Sequence, residues 1–494
     1  MGIDSAKFQA FFEQLMNVNL FGSAPPPPPF GKKPTVAKLK KVMAPGTQLL
    51  PTVFRDGYAV PLEQNLTAVL AQVGQDLTSL EAITGAVYQQ AQKTGLPQLH
   101  RFLAVISDLY RSFLSKKRRT AADFPIVETV PPLAMFQNKG DSGPFTIPSD
   151  DIENLFGAAI GAVSLPAVYR DHPVLWTSLA HETGGHDVIH ADVNLMPEMR
   201  AKVRQALGGP DTISSSANLT QKETIALLWD YWMDEAAADI YGVMNVGPMF
   251  GHNLAVFFAA LNAQASQTDT PSLRTQSGFD PSDPDQSLDP HPTDLLRLSL
   301  VQGAVEGLTS LAKNTISGYS ADYDSLAKIC APDATEIEIA GNVLLGPGQR
   351  VPVQGSFPLA DMQKAAFQAG QFIATAQFDA LGKHSIQDIE TWSDLDEQTA
   401  QNIATALTNN ASVVGQGDDA QLLAGSNVAI LADPSLYTSA SKLLNAALDQ
   451  SFADDPFWSK PQPDPAFFRS YSMNLQGPKR AKRAKAQAAR PGAS

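Results

Sequence analysis

The chain has 494 residues, 44% of them hydrophobic and only 17% charged, which provides for a large buried core and excludes a mostly disordered protein. Its formal charge of −14 excludes a general nucleic-acid binder, because phosphate recognition needs a basic face. A single cysteine, Cys330, excludes an internal disulfide framework and a cysteine-rich metal site, and makes a reducing compartment the simplest setting.

In chain order, residues 5–21 place Phe8, Phe11, Phe12, Leu15 and Met16 at helical spacing, which predicts an amphipathic helix in a segment 1–22. The start lacks the basic-then-apolar pattern of a secretory signal, and no stretch approaches the ~20 apolar residues that span a bilayer. A soluble, cytoplasmic protein without membrane insertion is therefore expected. The proline run from Pro25 to Pro29 reads as a stiff spacer within a linker, 23–36. The helix ahead of it either docks back on the body, recruits a partner or is a removable pro-segment. The spacer reading makes the residues up to about Pro34 dispensable for chemistry further on.

A helical region is expected over 37–150, with helices in 62–114 broken at Gly95-Leu96-Pro97. The cluster Lys116-Lys117-Arg118-Arg119 reads as a solvated face, and 131–148 as loop. A core region follows at 151–330, opening with an edge strand over 158–169 that is rich in small and β-branched residues. Within 331–475 the pattern Glu336-Ile337-Glu338-Ile339, then Gly346-Pro347-Gly348, then Val351 and Val353 marks a hairpin. Helices are expected at 359–378, 385–410 and 439–452, and 476–494 reads as a basic disordered tail. The fold class expected is mainly α with a small β-sheet.

Chemistry concentrates in three places. His181-Glu182-Thr183-Gly184-Gly185-His186 follows an apolar helical face at Val174, Leu175, Trp176 and Leu179. Two metal-binding histidines on a helix normally stand four residues apart, with a Glu after the first as general base. Here the second histidine comes five residues on, which turns it about 140° away in a regular helix. A π-bulge at Thr183 to Gly185 absorbs one residue, and two glycines make the distortion sterically easy. The rival register, His186-Asp187-Val188-Ile189-His190, keeps regular spacing but offers a shorter Asp as base. The second place is a helix over 221–246, capped by Thr220 and Glu223. It sets Glu235, a third metal ligand, one turn from Asp239, which is placed to accept a ligand histidine's free N–H. The third is Asp289-Pro290-His291-Pro292, with Arg297 beyond it. His291, Tyr231 or Tyr241 are candidates to stabilise an oxyanion.

These residues resemble the gluzincin metallopeptidases. Glu235 to Asp239 is similar to the second motif of the CAAX prenyl protease family and its soluble relatives, as is His291-Pro292 with Arg297 downstream. The first motif, with its inserted residue, looks like that of dipeptidyl peptidase III. The resemblance covers residues 158–308 and implies a zincin-like domain with helical flanks. It implies one zinc ion per chain on His181, His186 and Glu235, and Glu182 as general base. It also implies a peptide or protein substrate added along the edge of the 158–169 strand. A noncatalytic scaffold or cargo protein with a structural zinc is the alternative.

Overall fold

The computed structural model describes residues 5–18, 20, 28–74, 76–114, 119, 130–137, 143–149, 151–152, 160–213, 218–279, 285–346, 349–455 and 458. Within them the chain is mainly helical with two small mixed sheets, in agreement with the α+β expectation. No helix among the described residues is long and apolar enough to cross a membrane.

Helix α1 (Ser5–Met16) forms where its apolar spacing predicts, but it does not stand off from the body. Phe8, Phe11, Phe12 and Leu15 are all buried in the main core. That face is covered, as expected if the helix docks back on the body, and a helix packed in this way is part of the core and not held off by a spacer. Helices α2 (Val36–Thr47), α3 (Val60–Val73), α4 (Leu77–Gln89) and α5 (Leu96–Leu114) follow. Pro25, Pro26 and Pro27 lie outside the described residues, as do Lys116, Lys117, Arg118 and the 476–494 tail. Arg119 is not solvated. Its guanidinium pairs with both oxygens of Asp192 at 2.7 and 2.6 Å and is buried.

The first sheet corrects two expectations. Strands β1 (Val130–Gln137), β2 (Phe145–Ile147) and β3 (Ile160–Pro166) are ordered β1-β3-β2, β3 running parallel to β1 and antiparallel to β2. β3 is the central strand, not the edge, and all seven of its residues are buried. Small residues here serve close packing on both faces. Gly161, for example, faces the Asp187 carboxylate so closely that a Cβ would meet it at 2.7 Å. The segment 131–148, expected to be loop, supplies both flanking strands. Pro131 and Pro132 fall at a register shift of the edge strand β1, where a missing N–H costs little. The sheet separates two apolar clusters: Ala134, Phe136, Val163 and Leu165 join the main core, whereas Leu133, Met135, Ile160 and Ala162 join a smaller one under α2 to α4.

Beyond β3 come a π-helix (Ala180–Asp187) and helices α6 (Leu195–Ala206), α7 (Gln221–Tyr231), α8 (Met233–Val246) and α9 (Met249–Ser266). The single helix expected over 221–246 is bent at Trp232 (φ −80°, ψ 10°) into α7 and α8, and the Thr220–Glu223 capping box is present. A short strand β4 (Gln276–Ser277) leads to α10 (Asp294–Gly307) and α11 (Lys313–Cys330). The expected hairpin is β5 (Glu336–Gly346) with β6 (Gln349–Pro358). Helices α12 (Leu359–Thr375), α13 (Asp394–Thr408), α14 (Asp419–Ala432) and α15 (Tyr437–Asp454) complete the fold. The helix expected at 385–410 starts only at Asp394, because Ser385 caps a separate turn with Asp388 and Ser393 caps anew with Asp396. The main core runs from Phe8 to Leu448, through the boundaries drawn from composition.

Candidate metal centre

A 3-10 turn, Pro173–Ser178, buries Val174, Leu175 and Trp176 and delivers the chain into the π-helix. The widened turn does what the inserted residue requires. His181 and His186, five residues apart, face one point with their Nε2 atoms 3.2 Å apart. The π-helix lies directly on α8, and a Cβ added to Gly185 would come within 2.2 Å of Ala238 Cα. Gly185 is thus required by close approach of two backbones, and the alanines of α8 serve the same end.

From α8, Glu235 presents Oε2 to His181 Nε2 at 3.2 Å and Oε1 to His186 Nε2 at 3.4 Å. Among the described residues, His181, His186 and Glu235 form a group whose potential ligand atoms all lie within 4.8 Å of one another. The outer partners determine what these atoms offer. His181 Nδ1 lies 2.9 Å from Asp239 Oδ1, which places its proton on that nitrogen and turns the Nε2 lone pair inward. Asp239 is in turn gripped by Arg297 of α10, whose Nε and Nη2 each donate to one oxygen at 2.7 Å. Asp234 Oδ1 stands 3.8 Å from His186 Nδ1 and 3.2 Å from His190 Nε2.

The electrostatics favour positive charge at this point. Burial works against charging His186, but Glu235, Asp234 and Glu182 outweigh it and raise its pKa to about 10. Burial likewise lowers His181, yet Asp239 and Glu235 leave it raised. Burial raises Glu235, and His291, His186 and His181 overcome this to hold it well below the carboxylate range. Glu235 Oε2 is buried and accepts no hydrogen bond. Lone pairs of two imidazoles and a carboxylate converging on one buried point fit a cation, and two nitrogens with one oxygen suit zinc better than calcium or magnesium.

Glu182, next to His181, lies at the wall of a cavity of about 220 Å³ that His181, Glu235, His291 and Arg297 also line. Its Oε2 accepts a hydrogen bond from Thr146 Oγ1 of β2 at 3.0 Å, and its carbonyl accepts from the same hydroxyl at 3.1 Å. His291 sits at the mouth, its ring half-exposed, with Nε2 3.4 Å from Glu235 Oε1 and Nδ1 2.7 Å from Asp289 Oδ1. Burial raises Asp289, but His291 and Arg274 bring its pKa down to about 2. Tyr231 and Trp232 hold this loop by donating to the carbonyls of Leu288 (2.5 Å) and Asp289 (3.0 Å).

Three sequence readings find other places. Tyr241 is not at the cavity. It lies two residues past Asp239, on another side of α8, fully buried with its ring 4.3 Å from Phe113, and burial raises its pKa further. Tyr231 spends its hydroxyl on the loop. In the rival register His190 pairs with Asp234 outside the converging group, and Asp187 turns to the sheet, accepting the N–H of Ser149 at 2.7 Å. Thr146, Asp234 and Asp289 were missed as site residues. An Asp two positions before His291 is a legible local signal, whereas Thr146 is brought in by the sheet alone. No protein family, characterised protein or solved structure matches the chain, so the geometry stands by itself.

Proposed function

We propose that the protein is a zinc-dependent metallopeptidase of zincin-like design, holding one ion on His181, His186 and Glu235. The observation that carries this reading is the convergence of those three residues beside a cavity that His181 and Glu235 line together with a tethered carboxylate, Glu182. A zinc ion there would supply Lewis acidity to a carbonyl and lower the pKa of a water.

The protein's own residues supply the rest. Glu182, aimed by Thr146, removes the proton of the attacking water and returns it to the leaving amine. His291, oriented by Asp289, donates to the developing oxyanion from the side of the cavity mouth. The substrate strand adds to β2, the edge of the first sheet on the side of Glu182, and not to β3, which has neighbours on both sides. Thr146 belongs to that edge, so peptide alignment and base alignment share one element.

The test pairs metal analysis with a peptide-library digest. Native mass spectrometry should find one zinc on the wild type and none on His186→Ala. Glu182→Gln should keep the zinc and lose roughly 10²- to 10⁴-fold in hydrolysis, the scale of acid–base catalysis. Zinc bound with no peptide cut by the wild type would leave a structural metal in a noncatalytic scaffold.

A further inference from the structure

The cavity beside the metal centre has a wall that comes from far away in sequence. Leu254, Phe257, Phe258 and Leu261 line it, spaced as one stripe on α9. The next turn of the same helix carries Gln264. Its Oε1 accepts the N–H of Leu20 at 2.9 Å, and its Nε2 donates to the carbonyls of Leu15 at 3.2 Å and Val18 at 2.8 Å. One amide therefore fastens the end of α1 and the segment after it at three points. Leu20, 2% exposed, is placed on the cavity among the α9 stripe.

Resting on the peptidase reading, we propose that Leu20, fastened by Gln264, sets the depth of an apolar subsite that takes one aliphatic side chain flanking the scissile bond. Several features point to this occupant. The cavity is continuous with Glu182, His181 and Glu235, so whatever fills it lies beside the reacting bond. Among the described residues that line it, the only arginine or lysine is Arg297, whose fork has both ends on Asp239 and whose guanidinium is also stacked over Phe258 at 4.8 Å, so it is not free to receive an acidic side chain. At about 220 Å³ it is smaller than the ~300–1,000 Å³ of a pocket that encloses a whole small ligand, so a single side chain fits. Leu20 is the specificity-determining residue, and Gln264 acts through it as a positioning residue.

The experiment measures binding apart from turnover. Leucine, phenylalanine and glycine hydroxamates are titrated calorimetrically into the zinc-loaded full chain. The leucine compound should bind at least ~10-fold more tightly than glycine's, the low end of what a methylene-scale difference yields in an apolar pocket. Leu20→Ala deepens the subsite and should shift preference from leucine toward phenylalanine. Leu20→Phe fills it and should abolish the advantage of leucine over glycine. Gln264→Ala should copy the first shift without touching the cavity lining itself. Equal binding of leucine and glycine hydroxamates by the wild type, or an unchanged preference in both Leu20 variants, overturns the subsite. A leucine preference that responds to Leu20, in a protein that cuts no peptide, supports the subsite and overturns the peptidase reading alone.

Discussion

His181, Asp239 and Arg297 form a chain of contacts in which each residue constrains the next. Arg297 supplies two parallel donors that fit the two oxygens of Asp239, and no single ammonium can do that. Arg297→Lys should therefore preserve the fold while letting the Asp239 carboxylate rotate. Zinc affinity, measured by competition with a chelating dye, is expected to fall roughly 10- to 100-fold, as it does when a ligand's outer partner is lost. Asp239→Ala is a different experiment, since it strands a buried guanidinium. Thermal or denaturant unfolding should show a loss of about 3–5 kcal/mol, the usual result of breaking a buried pair from one side. Wild-type zinc affinity in Arg297→Lys would mean that Arg297 serves charge balance only.

Among the elements, the π-helix decides the site. Its presence was legible because a five-residue spacing with a His-Glu pair intact leaves few geometric options, and the glycines mark where the backbone must yield. The reason for Gly185 was not legible, since the backbone it meets belongs to a helix some fifty residues later. Gly185→Ala should cost several kcal/mol of stability by the overlap of its Cβ with Ala238, and release the metal with it. Replacing Ala238 by glycine in the same chain should recover part of the loss, because the Cβ of Ala238 is one of the two atoms met at 2.2 Å. The hairpin at 336–358 was readable from alternation and a Gly-Pro-Gly turn. The centre-versus-edge order of the first sheet was not, because order depends on where β1 and β2 return. α14 also escaped, being apolar around most of its circumference and offering no periodic contrast.

For the whole molecule, the structure selects one of the alternatives that the sequence left open for the first helix, docking on the body. Burying Phe8, Phe11, Phe12 and Leu15 contributes roughly 6–12 kcal/mol as an upper bound, about 1.5–3 for each side chain. A chain begun near Val36 should lose most of that and unfold or aggregate, where the spacer reading expected an intact metal site. Circular dichroism melting of the shortened protein decides between them. A second whole-molecule property is pH dependence. Asp419, 4% exposed where α5, α14 and α15 meet, has its pKa held well above the ordinary 3.8 by burial and by Asp108 nearby. The folded chain then binds a proton there that the unfolded chain has released. This contribution to stability is fully present below pH 3.8 and is lost as pH rises through the folded pKa. Over that window the slope is at most about 1.4 kcal/mol per pH unit for the one group. Asp419→Asn should remove the slope, so that wild type and variant differ least in acid and most at neutral pH in parallel melting curves.

The latch at Gln264 also sets an order of events during synthesis. Leu20 waits for a partner 244 residues later, which at ~5–20 residues per second is roughly 12–50 s of elongation. Further supports for α1, on α14 and on the turn at Pro434–Leu436, come later still. Throughout that interval a phenylalanine-rich face is exposed on the nascent chain, a natural client surface for chaperones. His181, His186 and Glu235 all leave the ribosome before the latch does. The group proposed to hold an ion is therefore complete in sequence while its cavity still lacks a wall, and the later closure at Gln264 is the one that gives the cavity its final depth.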